Sequence, residues 1–439
     1  MYSYEKFYDH FVVKDDDKIM YHVDTEFEAK KNIEALNNGE IPSDKNNING
    51  NKNYVVYHLH TELSLLDSCT NHKLYTDRAA ELGQTAICFS EHGNIYNWIE
   101  KKMYANSKGL KYIHGCEVYL TATLEEKVRD NYHTILIAKN YKGFQELNLL
   151  IDRSTQPDHF YYKPRISFDE FFAISDNIIK ISACLASPIR QYPTIENPDR
   201  KIYEKILKAY DFYEIQPHLY DEQRNYNDAL FRASKQYNKP LIAGTDTHSL
   251  DNYKAECRSI LQKAKKIQYT DEDKFDLTYK SYDELVELFR HQASLPMDVI
   301  LAAIENTNVM ANMVEDFELD TSFKYPVLYD NEEEVFKKRI NDMYKEKLAK
   351  GIIQKDPRYK EMVKEEMRVF KKIGMVGFML FMSELVCWCW DHGIPTGYCR
   401  GSCGGSMIAY LTDIIDVNPI TWGTVFSRFA NEDRKEIGD

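Results

Sequence analysis

Between residues 54 and 248 one pattern repeats: a short run of apolar, β-branched or aromatic residues, followed in most cases by a longer amphipathic stretch. The runs are YVVYHLH (54–60), TAICFSEH (85–92), YIHGCEVYL (112–120), HTILIAKN (133–140), NIIKISACL (177–185), DFYEIQPHL (211–219) and LIAGTDTH (241–248). Helical segments such as 72–82 and 222–237 separate them. Alternating strands and helices imply an α/β fold with a largely parallel sheet. Seven such strands favour a closed barrel over an open sheet.

The runs carry polar residues at their ends. His58 and His60 close the first, Glu91 and His92 the second, and Asp246 and His248 the last, while Cys184 lies near the end of the fifth. Barrels keep their chemistry at the C-terminal ends of parallel strands. His133 instead opens its run. An antiparallel hairpin of runs three and four would bring it to the rim that holds Glu117. Strand alternation puts His58 and His60 on one face, and Asp246 and His248 repeat that spacing. With Asp67 on the loop after the first run, imidazole, carboxylate and thiolate donors converge. That mixture suits zinc, manganese or a mixed cluster, and nine donors exceed what one ion takes. Any one of them alone reads as a satisfied core group, Glu117 and Cys184 most of all. His72, His114, His159, His218 and His291 lack such a pattern and read as ordinary, and Glu214 stays unassigned.

The remainder is organised differently. Residues 1–36 form a small element, and 37–53, with seven asparagines, read as a linker, so 1–53 is an N-terminal extension. Long helical segments dominate after 275, at 282–292, 296–315, 331–350 and 357–392, and a domain boundary is expected near 290. The apolar MVGFMLFMSELVCWCW is expected to be buried, and no run is a membrane span. TGYCRGSCGGSMIAYL follows as a glycine-rich turn opening a helix, a geometry that offers free N–H groups to phosphate. A net charge of −13 excludes a generally basic surface, so any nucleic-acid contact is local. Nine cysteines without regular spacing imply a reducing, cytoplasmic setting, with Cys399 and Cys403 as chance small residues.

YHLHTELSLLDS, EHGNIYNW, GCEVYL, HTILIAKN and ITWG…RFANEDR, in this order, resemble the polymerase and histidinol phosphatase (PHP) domain and early palm of the bacterial replicative DNA polymerase III alpha family, over roughly 54–439. The resemblance implies a PHP-type distorted seven-stranded (β/α) barrel at 54–290. After it, at 291–439, come a mostly helical segment and an incomplete α+β, DNA polymerase β-like palm. It implies up to three zinc or manganese ions on His58, His60, Asp67, His92, Glu117, His133, Cys184, Asp246 and His248, serving 3′→5′ exonuclease proofreading. Glu91 stands where the family usually has aspartate. Arg400, Gly401, Ser402, Gly405 and Ser406 match the turn that grips the incoming nucleotide's triphosphate, and Asp439 aligns with the first palm carboxylate for magnesium. The expected partners are primer-template DNA, dNTPs, other replisome proteins and a second polypeptide supplying the rest of palm, thumb and fingers. Without that completion the chain is expected not to polymerise. Alternatives are a free-standing PHP phosphoesterase acting on a small phosphate ester, and a non-catalytic scaffold. The segment 296–439 argues against the first and the full donor set against the second.

Overall fold

The computed structural model describes residues 2–7, 10–15, 18–23, 29–30, 33–34, 37, 53–267, 275–320, 322 and 326–433. Most of the expected linker and the whole of 434–439, including Asp439, lie outside them. The chain divides into two units, Met1–Glu318 and Leu319–Asp439.

The first unit opens with an antiparallel three-stranded sheet, β1 (Tyr2–Phe7), β2 (His10–Asp15) and β3 (Lys18–Val23), which sequence patterning had not resolved. The body follows in the order α1 (His72–Glu81), β4 (Ala86–Phe89), α2 (Trp98–Ser107), β5 (Lys111–Thr121), β6 (Tyr132–Ala138), α3 (Tyr141–Ser154), β7 (Arg165–Ser167), α4 (Phe168–Ala173), β8 (Ile178–Ile181), α5 (Pro188–Gln191), α6 (Arg200–Ala209), β9 (Tyr213–Ile215), α7 (Asp221–Tyr237), β10 (Leu241–Ala243), α8 (Asn252–Lys265), α9 (Tyr282–Gln292) and α10 (Met297–Asn312). One sheet runs β4-β5-β6-β8, with the unforeseen β7 beside β5, and a second pairs β9 with β10. The expected hairpin is present: β5 and β6 are antiparallel, with Tyr119 opposite His133.

Run 54–60 is extended but forms no regular strand. Its backbone is held by separate bonds: Cys88 N–H donates to Val56 O, Thr247 N–H to His58 O, and His60 N–H to Thr247 O. Single bridges also join Ile181 to Phe212 and Leu59 to Thr247. Alternation sorts side chains between two cores. Ile87, Leu136 and Ala243 join the larger. Val55, Cys88, Ile113, Ile135, Ile179, Phe212 and Ile242, one from each run, meet in the smaller.

The boundary expected near 290 lies instead at Glu318. Helix α10 belongs to the first unit because Ile300, Ala303 and Ile304 enter its larger core and Met310 and Ala311 its smaller one. Thr307 Oγ1 accepts the Val55 N–H at 2.9 Å, and Asn306 donates to Leu241 O at 2.7 Å.

The second unit contains α11 (Glu332–Ala349), α12 (Pro357–Ile373), α13 (Val376–Asp391), α14 (Met407–Leu411) and α15 (Pro419–Trp422). The single helix expected over 357–392 is two, bent by 115°. Gly374 causes the break: it adopts φ +73°, a left-handed C-cap that glycine takes without steric cost. Burial of α13 is only partial, since Met379 and Leu380 are buried but Leu385, Trp388 and Trp390 are exposed. Among the described residues of this unit there is no strand, and no single helix is long and apolar enough to cross a membrane.

Candidate metal centre

Six of the seven runs, with Asp67 on the loop after the first, bring histidines and carboxylates together. His58 Nε2 and His60 Nε2 both face Asp246 Oδ1, at 3.0 and 3.4 Å. Glu117, fully buried on β5, lies 2.7 Å from His92 Nδ1 and 2.6 Å from His133 Nδ1. His92 Nε2 is 3.0 Å from Asp67 Oδ2, and His248 Nε2 is 3.4 Å from the same oxygen. Three sets of donor atoms each fall within 4.8 Å of one another: His60, His92 and His248; His58, His60 and Asp246; His92, Glu117 and His133. Asp67 and Cys184 stand at the margin, Cys184 Sγ being 3.7 Å from His133 Nδ1.

Three of these rings are oriented from behind, and against the effect of burial the facing carboxylates raise the pKa values of His58, His92 and His248, so these rings give up a proton when a cation binds. His58 Nδ1 meets Glu214 Oε1 at 2.7 Å, and His248 Nδ1 meets the Asp246 carbonyl at 2.8 Å. The Ser64 hydroxyl donates to Glu91 at 2.6 Å, so it accepts from His60 Nδ1 at 3.0 Å. Carboxylate, carbonyl and committed hydroxyl each require Nδ1–H as donor, which turns Nε2 inward and leaves it bare in the neutral ring that a cation selects. Burial, with repulsion from His92 and His248, pushes the His60 pKa down to about 3, so its ring is neutral. His58 Nε2, His60 Nε2, His92 Nδ1, both Glu117 oxygens and Asp246 Oδ1 are buried without a hydrogen-bond partner. Short nitrogen–oxygen distances that fail hydrogen-bond angles are what converging metal donors produce. Such orphaned atoms would cost several kcal/mol unless a cation satisfied them. The donor set fits divalent ions.

Backbone strain marks the same loops. Asp246 has φ +47°, and Leu66 and Ala183, at +69° and +58°, directly precede Asp67 and Cys184. Non-glycine residues are uncommon there and cluster at working sites. Burial, reinforced by Asp246 and Glu117, holds the Cys184 thiol well above its ordinary pKa. Only a nearby cation would make it a thiolate ligand.

Beneath the donors lies a polar layer that sequence reasoning missed. Glu214 accepts from Tyr57 at 2.9 Å and Gln216 at 2.6 Å while orienting His58. Gly244 is obligatory here, because a Cβ would stand 2.4 Å from the Glu214 carboxylate. Glu91 accepts from Thr61, Ser64 and the buried Lys101, and Arg258 clamps Asp67. The histidines read as ordinary have other company: His114 bonds Asn148 and His159 bonds Glu170. His218 stacks on Phe275 at 4.6 Å, and burial lowers its pKa to about 4.

In the second unit, the glycine-rich turn is a 3₁₀ segment, Gly401–Gly405, leading into the five-residue α14. Arg400, Gly401 and Ser402 are exposed, whereas Gly405 and Ser406 are buried. The Ser406 hydroxyl donates to Glu366 Oε2 at 2.7 Å, and the Met407 and Ile408 N–H groups donate to Glu366 at 2.7 and 2.9 Å. Glu366, from α12, therefore occupies the seat that the sequence assigned to phosphate, and Ser406 and Gly405 are turned away from solvent.

Residues 57–218 match the family described as PHP domain, and residues 333–439 the family described as bacterial DNA polymerase III alpha NTPase domain. The DNA polymerase III subunit alpha of Aquifex aeolicus (strain VF5) is 30% identical over 416 residues, which cover 88% of this chain and 36% of that protein. Its counterpart in Campylobacter jejuni is 29% identical over 434 residues, covering 88% and 35%. This chain belongs to the DNA polymerase III alpha family. It spans about a third of the length of the curated relatives it matches. Among solved structures, a two-domain protein from Bacteroides vulgatus containing a predicted PHP-like metal-dependent phosphoesterase is 14% identical, with a TM-score of 0.32, over 54% of this chain and 62% of that one.

The Glu366 contact gives a pH dependence. Burial raises its pKa from 4.5 to about 7, against the pull of the Ile408 and Met407 N–H groups and the Ser406 hydroxyl. Between those values the folded state binds a proton that the unfolded state has released, so stability falls as pH rises. The contribution is fully present below about pH 4.5 and lost through pH 7. It amounts to about 3 kcal/mol at roughly 1.4 kcal/mol per pH unit. Thermal melts of the wild type and Glu366→Gln should lie together near pH 5 and diverge towards pH 8, where the ionised wild type melts lower. A wild-type melting point from this unit that rises over that range would refute the assignment.

Proposed function

We propose that the first unit is a metal-dependent phosphodiesterase that removes nucleotides from the 3′ ends of DNA, and that the second begins a DNA-templated nucleotidyltransferase palm. The seven runs, linked by the bonds around 54–60 and by the Ile181–Phe212 bridge, are read as a PHP-type distorted barrel. The observation that carries the nuclease reading is the set of buried, unpartnered nitrogen and oxygen atoms crowded at the ends of these runs.

His58, His60, His92, His133, His248, Glu117 and Asp246 would hold the ions, with Asp67 and Cys184 at the edge. Divalent cations bound there supply a water of lowered pKa and neutralise phosphate charge. The protein's own share is orientation. Glu214 fixes the His58 ring, Ser64 fixes His60, and the Asp246 carbonyl fixes His248. Arg258 keeps one Asp67 oxygen occupied, so the other faces the histidines. A cleft of about 800 Å³ opens over the centre, lined by Asp67, His92, His133, Cys184, Asp246 and His248. Tyr96 and Phe160 line it as exposed aromatics on which a base can stack.

In the second unit, Arg400, Gly401 and Ser402 remain open for a nucleotide's phosphates. Asp439 is proposed as the first palm carboxylate, and magnesium, primer-template DNA and dNTPs as ligands of a palm completed by further sequence. In such a palm, Gly405 and Ser406 would serve only after Glu366 withdrew.

Purified protein loaded with Mn²⁺ or Zn²⁺ should retain more than one ion per chain and release nucleotides from a 3′-labelled single strand. Metal retained without any release, under either ion, would leave the centre structural.

A further inference from the structure

A second cavity, of about 940 Å³, lies between α6 and α7, lined by Arg190, Arg200, Tyr203, Tyr226, Arg232 and Tyr237 among others. Arg190 and Glu222 line both this groove and the metal cleft, so the two are contiguous. Its charges are unevenly matched. Arg232 pairs with Asp228 at 2.6 Å, and Glu204 with Lys208 at 2.6 Å. Arg190 and Arg200 have no ion-pair partner among the described residues. Tyr226 is 5% exposed, yet its hydroxyl completes no hydrogen bond. Glu222, at the junction, is likewise without an ion-pair partner among the described residues, so the lining carries three arginines against two carboxylates, with an orphaned buried hydroxyl and two half-buried tyrosines, in a chain of net charge −13.

Resting on the nuclease reading above, we propose that this groove is the track for the upstream nucleotides of a single-stranded substrate whose 3′ end lies in the metal cleft. Arginines supply phosphate contacts and tyrosine rings supply sequence-tolerant stacking, the combination that single strands require. Arg190 stands at the junction, where a strand leaving the cleft would turn between α6 and α7. Duplex DNA is disfavoured, because the track offers ring faces that only unpaired bases can use.

The track is tested by comparing a short and a long substrate on the metal-loaded full chain. The variant is Arg200→Ala combined with Tyr237→Ala, neither residue lining the metal cleft. The p-nitrophenyl ester of thymidine 5′-phosphate reaches only the cleft, so its kinetics should be unchanged. For a twelve-nucleotide single strand, KM should rise at least roughly tenfold, the effect of losing one charge-assisted contact together with one stacking ring, with kcat held. Equal kinetics for wild type and variant on the long strand would overturn the track while leaving the nuclease reading intact. A parallel loss on both substrates would equally overturn it, because the damage would then be to the cleft. If the wild type hydrolyses neither substrate, the nuclease reading fails by itself. Fluorescence anisotropy of the labelled strand then decides the track: weaker binding by the variant, with a shallower salt dependence, supports it, and identical binding refutes it.

Discussion

Glu117→Ala is expected to strip the centre of metal and to lower hydrolysis by about three orders of magnitude. Glu117 is the carboxylate shared most widely, lying within 3.7 Å of His58, His60, His92 and His133. Its removal takes away the anion between His92 and His133 and leaves only Asp246 and Asp67 beside the other imidazoles, so placing several cations there becomes electrostatically costly. Metal-ion stabilisation of a developing phosphate charge is worth several kcal/mol, and each 1.36 kcal/mol is a factor of ten in rate. Elemental analysis after dialysis reads the first effect, and release of labelled nucleotide reads the second. Glu117→Ala protein that retained full metal content would remove Glu117 from the donor set. The folded state should survive, since the variant relieves a buried anion, and circular dichroism checks this.

The second large effect is on stability. Lys101, on α2, is 2% exposed and donates to Glu91 at 2.6 Å, and Glu91 is itself 1% exposed. Lys101→Met keeps the length of the side chain but strands a carboxylate in the core. Breaking a buried pair from one side costs about 3–5 kcal/mol, which for a unit of this size is roughly a 10 °C drop in melting temperature. Burial opposes the ionised form of Glu91, and Lys101 with its neighbours overcomes this, holding its pKa down to about 2. Adding Glu91→Gln removes the stranded charge and should restore most of the loss. Because Glu91 also holds Ser64, and Ser64 holds His60, Lys101→Met should weaken metal affinity about 10- to 100-fold. A melting point within 2 °C of wild type would mean that the pair is not desolvated.

The proposed donors were marked in the sequence by pairs at a spacing of two, His58 with His60 and Asp246 with His248, a pattern that alternation suggests. In the structure neither pair lies in a regular strand, and it is loop geometry, with Asp246 at φ +47°, that sets His58 and His60 against Asp246. The His133 exception was also readable, as the mark of a reversed strand, and β6 is antiparallel to β5. Boundaries were less legible. Helix α10 looked like the start of a new domain because amphipathic helices look alike in sequence, and only its docking, apolar side chains into both cores and Thr307 and Asn306 to Val55 and Leu241, assigns it to the first unit. The 357–392 segment read as one helix because one glycine, Gly374, is tolerated in many helices. Its left-handed φ is a tertiary choice.

The sequence by itself determined the run-and-helix order, the polar residues at the run ends and the glycine-rich turn. These follow from local stereochemistry, which acts over a few residues. Only the tertiary structure decided what stands behind them. Arg258 reaches Asp67 across 191 positions, and Tyr57 reaches Glu214 across 157. Glu366, forty positions before Ser406, fills the turn's donors in place of a phosphate. No periodicity links such partners. They are selected by desolvation, because a buried charge or lone pair must find its complement wherever folding brings one within hydrogen-bond reach.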